Sequence, residues 1–403
     1  MSDGRRQMRD RVRRPATTVG RRALLLSALL LPAVLVLAGC SIGDIRRTPP
    51  QRTVASADPT APAGGPGAVE VRPMRVPAGY DAPFIGFDDA DHGYAFYHGC
   101  NARASVGVAS GCPSLLYATA DGGRSWQHRE HPDPAAAEHS MLVGYGSLVL
   151  AADATWYRSV DGGVTFTRGD SPDGSMPPEF ASWDGPYQVC CQTDPVPRVV
   201  EVTEQGTVPL APQPPIPVVQ TVGHIGDKLT VAGLHDGRLH VAFGAPVATD
   251  DDGGGGPGVR WLWRTDAVTG ADPERIRRFI VETTPSGGYW LIGEPVPLPG
   301  EFPLVWRADW GRLEPVPVHD PPPDVMSVLP DGGRLLVTTR TGVWSLGSDG
   351  RFEPIDWPVH GAYLTRLRDG TVQAVRPDGA VLLNVRRPSG AGWVEISWEP
   401  YGR

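Results

Sequence analysis

Five cysteines, ten histidines and a few dense acidic runs are the residues of this 403-residue chain whose types could support chemistry. Cys40 stands alone, directly after a long apolar run. Cys100, Cys112, Cys190 and Cys191 could ligate a metal or pair as disulfides. A zinc site needs thiolates and imidazoles at short, characteristic spacings. None of these cysteines forms a CxxC or a Cys/His pair at ligand spacing, so no metal site is expected. Four cysteines allow three pairings. Cys100–Cys112 is the favoured one, because it closes a small loop worth about 3 kcal/mol. Cys190 and Cys191 then form a vicinal disulfide or remain thiols. The histidines are scattered, and no HExxH occurs. His128 and His131, flanking Arg129 and Glu130, read as part of a solvated loop. Asp88–Asp91 with His92 reads as a capped acidic turn. Asp250-Asp251-Asp252 followed by four glycines lacks the alternating acidic ligands and distal Glu of a calcium loop, and reads as a mobile insertion. No GxSxG nucleophile motif is present, and no cofactor is expected.

The elements that must position these residues begin with an export segment. Residues 1–22 are rich in arginine, and residues 23–38 form an apolar stretch interrupted by Pro32. Sixteen residues are few for a membrane-spanning helix and suit the hydrophobic region of a signal peptide. Leu37-Ala38-Gly39-Cys40 resembles a bacterial lipobox. That resemblance implies a diacylglycerol on the Cys40 thiol and cleavage that leaves Cys40 as the new N-terminus. Two acyl chains anchor a protein stably, so the outer face of the cytoplasmic membrane is the expected location. Gly20-Arg21-Arg22-Ala23-Leu24-Leu25 also resembles a twin-arginine signal, leaving the export route open between the two systems. Residues 40–69 are dense in Pro, Gly, Ala, Ser and Thr without hydrophobic periodicity, which predicts a disordered tether.

Charge divides the same way. Residues 1–39 hold eight arginines against Asp3 and Asp10, a net of +6; the whole-chain charge of −8 therefore leaves −14 from Cys40 onward. So acidic a body gives no electrostatic reason to bind nucleic acid. Lys228 is the sole lysine.

Residues 70–403 carry the fold. Fifty glycines, 43 prolines and only 20% charged residues suit many short strands joined by tight turns. Thr119-Ala-Asp121-Gly-Gly123-Arg-Ser125-Trp126 and Ser159-Val-Asp161-Gly-Gly163-Val-Thr165-Phe166 align without gaps, 40 residues apart. An Asp side chain here can accept backbone N–H groups just downstream, the glycines can take positive φ, and the terminal aromatic can pack beside a core. Both segments resemble the Asp-box, or BNR, repeat of sialidase-type propellers. The resemblance is strict at these two positions and loose elsewhere, and it implies an all-β propeller.

Looser copies of strand–turn–strand continue along the chain. Ile85–Phe87, His92–Phe96 and Leu116–Thr119 make up a first blade, and Met141–Thr167 gives a second. Phe180–Val208, Val218–Thr265 with an insertion at Asp250–Gly258, Arg278–Val318, Val325–Asp356 and Ala362–Glu399 supply five more. Seven four-stranded blades are expected, about 48 residues each, with six or eight as alternatives. The segment around Val69–Val71 is a candidate for pairing with the last blade.

The resemblance leaves activity open, because one propeller scaffold hosts many functions. The leading expectation is a tethered, non-enzymatic propeller that binds a protein or glycan partner. A sialidase-like glycoside hydrolase and an assembly factor for membrane complexes are the alternatives. Met74-Arg75-Val76-Pro77 resembles the aromatic-Arg-Ile-Pro motif of sialidases, with Met74 in place of the aromatic residue, which makes Arg75 a candidate ligand contact. The family's two further arginines, its Tyr–Glu nucleophile pair and its acid/base Asp have no counterpart recognisable by spacing. A binding site is expected at the ends opposite the Asp-boxes, in His98–Pro113, Gln127–His139, Ala152–Thr155, Cys190–Asp194 and Arg340–Gly342.

Overall fold

In the computed structural model the described residues are 69–77, 80, 82–98, 113–136, 138–170, 174–190, 197–203, 206–249, 258–284, 288–295, 301–309, 312–387 and 390–399. All fall in the compact unit spanning residues 61–403. Cys40, Cys100, Cys112, Cys191, the signal segment, most of the tether and Asp250-Asp251-Asp252 lie outside them.

Strand β1 (Val69–Arg75) precedes seven small sheets that follow one another along the chain. The first holds β2 (Phe84–Phe87), β3 (Gly93–Tyr97), β4 (Leu115–Thr119) and β5 (Gln127–Arg129). The second holds β6 (His139–Gly144), β7 (Ser147–Ala152), β8 (Thr155–Ser159) and β9 (Thr167–Asp170). The third has β10 (Tyr187–Cys190), β11 (Arg198–Thr203) and β12 (Gly206–Pro209). The fourth contains β13 (Val218–Ile225), β14 (Lys228–His235), β15 (Arg238–Thr249) and β16 (Gly258–Ala267). The fifth is β17 (Ile276–Thr283), β18 (Tyr289–Pro295), β19 (Leu304–Asp309) and β20 (Arg312–Pro315). The sixth is β21 (Val325–Asp331), β22 (Arg334–Thr339), β23 (Val343–Leu346) and β24 (Phe352–Ile355). The last is β25 (Tyr363–Arg366), β26 (Val372–Val375), β27 (Val381–Arg387) and β28 (Gly390–Glu399). The chain folds as a seven-bladed β-propeller.

Apart from β1, the strands of each sheet pair as an antiparallel meander, as short strands joined by tight turns require. The core lies between sheets instead of at one centre. Tyr94, Phe96 and Leu116 of the first blade interdigitate with Met141, Leu148 and Leu150 of the second. Trp290, Ile292 and Val305 of the fifth meet Leu335, Val337 and Leu346 of the sixth in the same way. Each blade therefore needs both faces apolar, which explains runs such as Ser147–Leu150 and Leu335–Thr339 that are buried at every position.

Two sheets depart from the four-strand expectation. The third blade's inner strand is replaced by a 3₁₀ segment, Pro178–Asp184. Pro177 and Pro178 supply no N–H to a ladder, which disfavours a paired strand there. Phe180 and Ala181 are buried instead. Gly144, at the end of β6, leaves room for this segment: a Cβ there would stand 2.3 Å from the Trp183 carbonyl oxygen. The seventh sheet gains a fifth strand. β1 runs parallel to β28 in the register Val69↔Trp393 to Arg75↔Glu399 and so closes the ring with the N-terminal end of the domain. Closure removes an exposed edge.

Met74 is 4% exposed and packs among Ile85, Tyr97, Val394 and Ile396 at this seam. Met74→Ala is expected to cost about 2–5 kcal/mol by cavity formation. Urea unfolding of the two proteins measures it; a midpoint unchanged by the substitution would show that closure does not depend on this contact.

Candidate functional site

The two Asp-box-like turns have the same hydrogen bonds. Each joins the third and fourth strands of its blade. The Asp121 carboxylate accepts from Ser125 N at 2.9 Å and from Ser125 Oγ at 2.6 Å, while Thr119 Oγ1 donates to Asp121 Oδ1 and accepts from Gly123 N, both at 2.9 Å. In the second turn Asp161 accepts from Thr165 N at 2.9 Å and Thr165 Oγ1 at 2.6 Å, and Ser159 Oγ links Asp161 to Gly163 N. Gly122, Gly123, Gly162 and Gly163 all have φ between 69° and 85°, the left-handed region open to glycine. Trp126 meets Phe87 edge-on, with centroids 6.2 Å apart, and Phe166 packs against the core between the first and second blades. Arginines that local sequence reasoning missed complete both turns. Arg72 Nη1 of β1 donates to the Gly122 carbonyl, and Arg129 Nε of β5 donates to the Gly162 carbonyl at 2.9 Å. In each case the outermost strand of the preceding sheet holds the turn.

Despite the desolvation that opposes it, hydrogen bonding from Thr165, Ser159 and Val164 holds the Asp161 carboxyl down at about 2. Asp121→Ala or Asp161→Ala is expected to cost on the order of 1–3 kcal/mol, because several donors lose their acceptor. Thermal unfolding tests it, and unchanged stability in both variants would contradict this account of the turns.

The other sequence candidates are dispersed. Arg75 lies exposed on β1, the outermost strand of the seventh sheet, beside a rim recess of about 340 Å³ lined by Met74, Tyr97, Tyr117 and Trp126. The ring axis is lined by the first strands of the sheets, so Arg75 is far from it in the blade order. Cys190 ends β10, and its three candidate partners lie outside the described residues. Asp88 and Asp89 serve closure: both pair with Arg368 Nη2 at 2.9 Å, and Asp88 Oδ1 accepts from Gly146 N at 2.9 Å. That acidic turn ties the seventh, first and second blades together. His128 stacks edge-on against Tyr117, with centroids 5.4 Å apart.

At the end opposite the Asp-box-like turns, His98, His131 and His139 surround Phe96. Their centroids lie 4.9, 5.5 and 5.3 Å from its ring. His98, His131 and His139 belong to two of the predicted loops, of which residues 99–112 lie outside the described residues. His131 is 6% exposed; its Nδ1 accepts from Asp133 N at 3.0 Å, and its Nε2 has no hydrogen-bond partner among the described residues. Burial, with the neighbouring His139, pushes this imidazole down to about 4, so it is neutral at physiological pH. Among the described residues no group of three His, Cys, Asp or Glu has the geometry to hold a metal ion.

A second convergence occupies the axis at the Asp-box end. Tyr145 comes from the first turn of the second blade and Asp184 from the 3₁₀ segment of the third. His224 and Glu282 end the inner strands of the fourth and fifth blades, and Arg366 ends that of the seventh. The rings of Tyr145 and Tyr187 lie 6.0 and 5.9 Å from that of His224. This contact also fixes blade polarity: β10 starts at the axis end where β13 finishes, so it is the second strand of its blade. Glu282 keeps partial access to solvent at the axis but is otherwise deeply enclosed, and burial pushes its carboxyl up to about 7 against the opposing pull of Arg366. Desolvation also lowers His224 and raises Asp184, although Asp184 is itself exposed at the surface. Ser182 Oγ and Trp183 Nε1 of the 3₁₀ segment and Arg366 Nε are buried without a hydrogen-bond partner among the described residues, as are six other side-chain atoms elsewhere in the ring. Native proteins leave few such groups unpaired, and perturbed titratable groups concentrate at functional sites.

No family model matches the chain, and no curated protein matches it in sequence. Solved structures do share the fold. Apo AztD from Citrobacter koseri is 11% identical, with 79% of this chain and 86% of that one covered, at a TM-score of 0.38. PorZ, a surface component of the type-IX secretion system of Porphyromonas gingivalis, is 12% identical, with 82% of this chain but only 38% of that one covered, at a TM-score of 0.39. A xyloglucanase from Xanthomonas campestris is 17% identical over 78% of this chain and 47% of its own, at 0.29. At these identities the likeness is one of fold alone.

Proposed function

We propose that this chain is an exported, lipid-anchored propeller that acts as a binding or scaffold module for a partner outside the cytoplasmic membrane, a protein or a glycan, and that its partner engages the axial end beside Asp184 and Glu282. The convergence of unsatisfied polar groups and aromatic rings from five blades at that end carries the reading. The Leu37–Cys40 lipobox supports the anchor, and the two matched turns support membership of the Asp-box propellers. Export also supports disulfides among Cys100, Cys112, Cys190 and Cys191. The sialidase alternative draws no support from Arg75, which stands on the outer rim.

Two experiments test this. A photocrosslinking residue in place of Tyr145, 47% exposed at the axis, is expected to give a discrete adduct in cells; one at Val208, 51% exposed on an outer strand, is not. The same adducts from both positions, or none from Tyr145, would reject the axial site. Cys40→Ala is expected to lose label from a clickable fatty acid and leave the membrane fraction or persist as precursor. Equal labelling of variant and wild type would sink the anchor.

A further inference from the structure

We infer that the cleft between the fifth and sixth blades binds a carboxylated saccharide of the hexuronate class, its carboxylates on arginine guanidiniums and its hydroxyls on acidic side chains of the cleft. The inference rests on the binding-module reading but not on its axial end: none of Tyr145, Asp184, His224, Glu282 or Arg366 lines this cleft.

One strand of the fifth blade and two turns of the sixth build the cleft. It holds about 600 Å³, within the range of natural ligand pockets. Arg307 reaches it from β19, Arg334 from the start of β22, and Arg351 from the turn between β23 and β24. A Cβ built on Gly333 would stand 3.7 and 3.9 Å from Nη1 and Nη2 of Arg307, so this guanidinium lies over the turn of the next blade. None of the three guanidiniums has an ion pair among the described residues, whereas Arg366, Arg368 and Arg376 each have one. A guanidinium is a planar fork that matches a carboxylate with two parallel hydrogen bonds.

The rest of the lining separates a saccharide from a plainer anion. Asp331, Asp349 and Glu353 stand among the arginines, three carboxylates against three guanidiniums. A dense polyanion therefore meets no net attraction there. Two of the acids are already engaged: Asp331 Oδ1 accepts from Arg366 Nη2 and Asp349 Oδ1 from Arg351 N, both at 3.1 Å. Glu353 has no hydrogen-bond partner among the described residues and is the acceptor left for a hydroxyl. Buried Ser345 and exposed Ser348 add hydroxyls that can donate or accept. An acidic peptide carries its carboxylates on flexible stems, with one N–H per residue along its backbone. Each hexuronate ring presents a carboxylate and hydroxyls from one rigid frame, which suits walls where the two kinds of partner stand side by side. Arg351 also lines a second recess, of about 620 Å³, with Trp344 and Phe352. Their rings offer apolar faces to a further sugar of the same chain.

Calorimetric titration of the full-length protein in detergent with trigalacturonate tests the site. Maltotriose serves as the uncharged saccharide, tripolyphosphate as the plain anion and hexaglutamate as the acidic peptide. Trigalacturonate is expected to bind wild type, and the other three roughly tenfold more weakly or not at all. Arg307→Ala/Arg334→Ala is expected to weaken trigalacturonate by a similar factor. Arg238→Ala/Arg260→Ala, which removes two exposed arginines of the fourth blade, is expected to leave it unchanged. Glu353→Gln is expected to weaken binding severalfold although it makes the cleft more positive. Tighter binding by that variant would show that Glu353 only repels the ligand and would overturn the saccharide. Thermal unfolding checks that each variant folds; the exposed Arg334→Ala and Arg351→Ala carry the comparison singly if loss of half-buried Arg307 unfolds the protein. No binding by wild type, equal weakening in both double variants, or tighter binding of tripolyphosphate or hexaglutamate would overturn the site. The Tyr145 crosslink reads the axial end alone, so its success or failure is distinguishable from this one.

Discussion

Glu282→Gln is expected to raise the protein's stability at pH 8 by up to about 3 kcal/mol and to change it little at pH 4. The ordinary Glu carboxyl titrates near 4.5, and burial moves this one up to about 7. Between those values the unfolded chain has released its proton while the folded chain keeps it, so stability falls as pH rises through the window. Above about 7 the folded protein carries a desolvated carboxylate, and the loss is complete. The gap corresponds to about 3 kcal/mol at roughly 1.4 kcal/mol per tenfold, and partial solvent access at the axis makes this a ceiling. Glutamine keeps the shape and removes the charge. Guanidinium unfolding at pH 4 and pH 8 decides the matter; a stability difference that is the same at both would show that Glu282 is not desolvated as described.

His131 acts with the opposite sign. Its imidazole, ordinarily near 6.5, is pushed down to about 4 by burial and by His139. Below 6.5 the unfolded chain binds a proton that the folded chain refuses, so stability falls as pH drops toward 4, by about 3 kcal/mol in all. His131→Leu is expected to cost about 1 kcal/mol at pH 7.5, where Asp133 N loses its acceptor, and to match or exceed wild type at pH 4. Between 4.5 and 6.5 the two groups oppose each other. Wild type should therefore show a shallow pH dependence there, Glu282→Gln a steeper acid loss, and His131→Leu a stability that declines as pH rises. If the His131→Leu curve runs parallel to wild type from pH 4 to 7.5, the buried imidazole is not the source.

The parts of this protein legible in its sequence are those whose interactions close over a few residues. The hydrogen bonds of each Asp-box-like turn span four residues, from Thr119 to Gly123 and from Ser159 to Gly163. Residue type and spacing therefore specify them without reference to the rest of the chain. Seven meandering sheets followed from the same locality, because each strand pairs with its sequence neighbour through a short turn. The third blade was readable as a unit but not in its inner strand, although Pro177-Pro178 carried the signal. Tertiary structure decided what spans the ring. Val69–Val71 was a candidate for pairing with the last blade, but the parallel register of β1 against a strand more than 300 residues away is set by closure of the ring. Arg72 and Arg129 find their acceptors across blade boundaries. Tyr145, Asp184, His224, Glu282 and Arg366 belong to five blades and share no motif. They meet because a closed ring brings the same end of each inner strand to one axis, and burial there gives ordinary side chains unusual proton affinities.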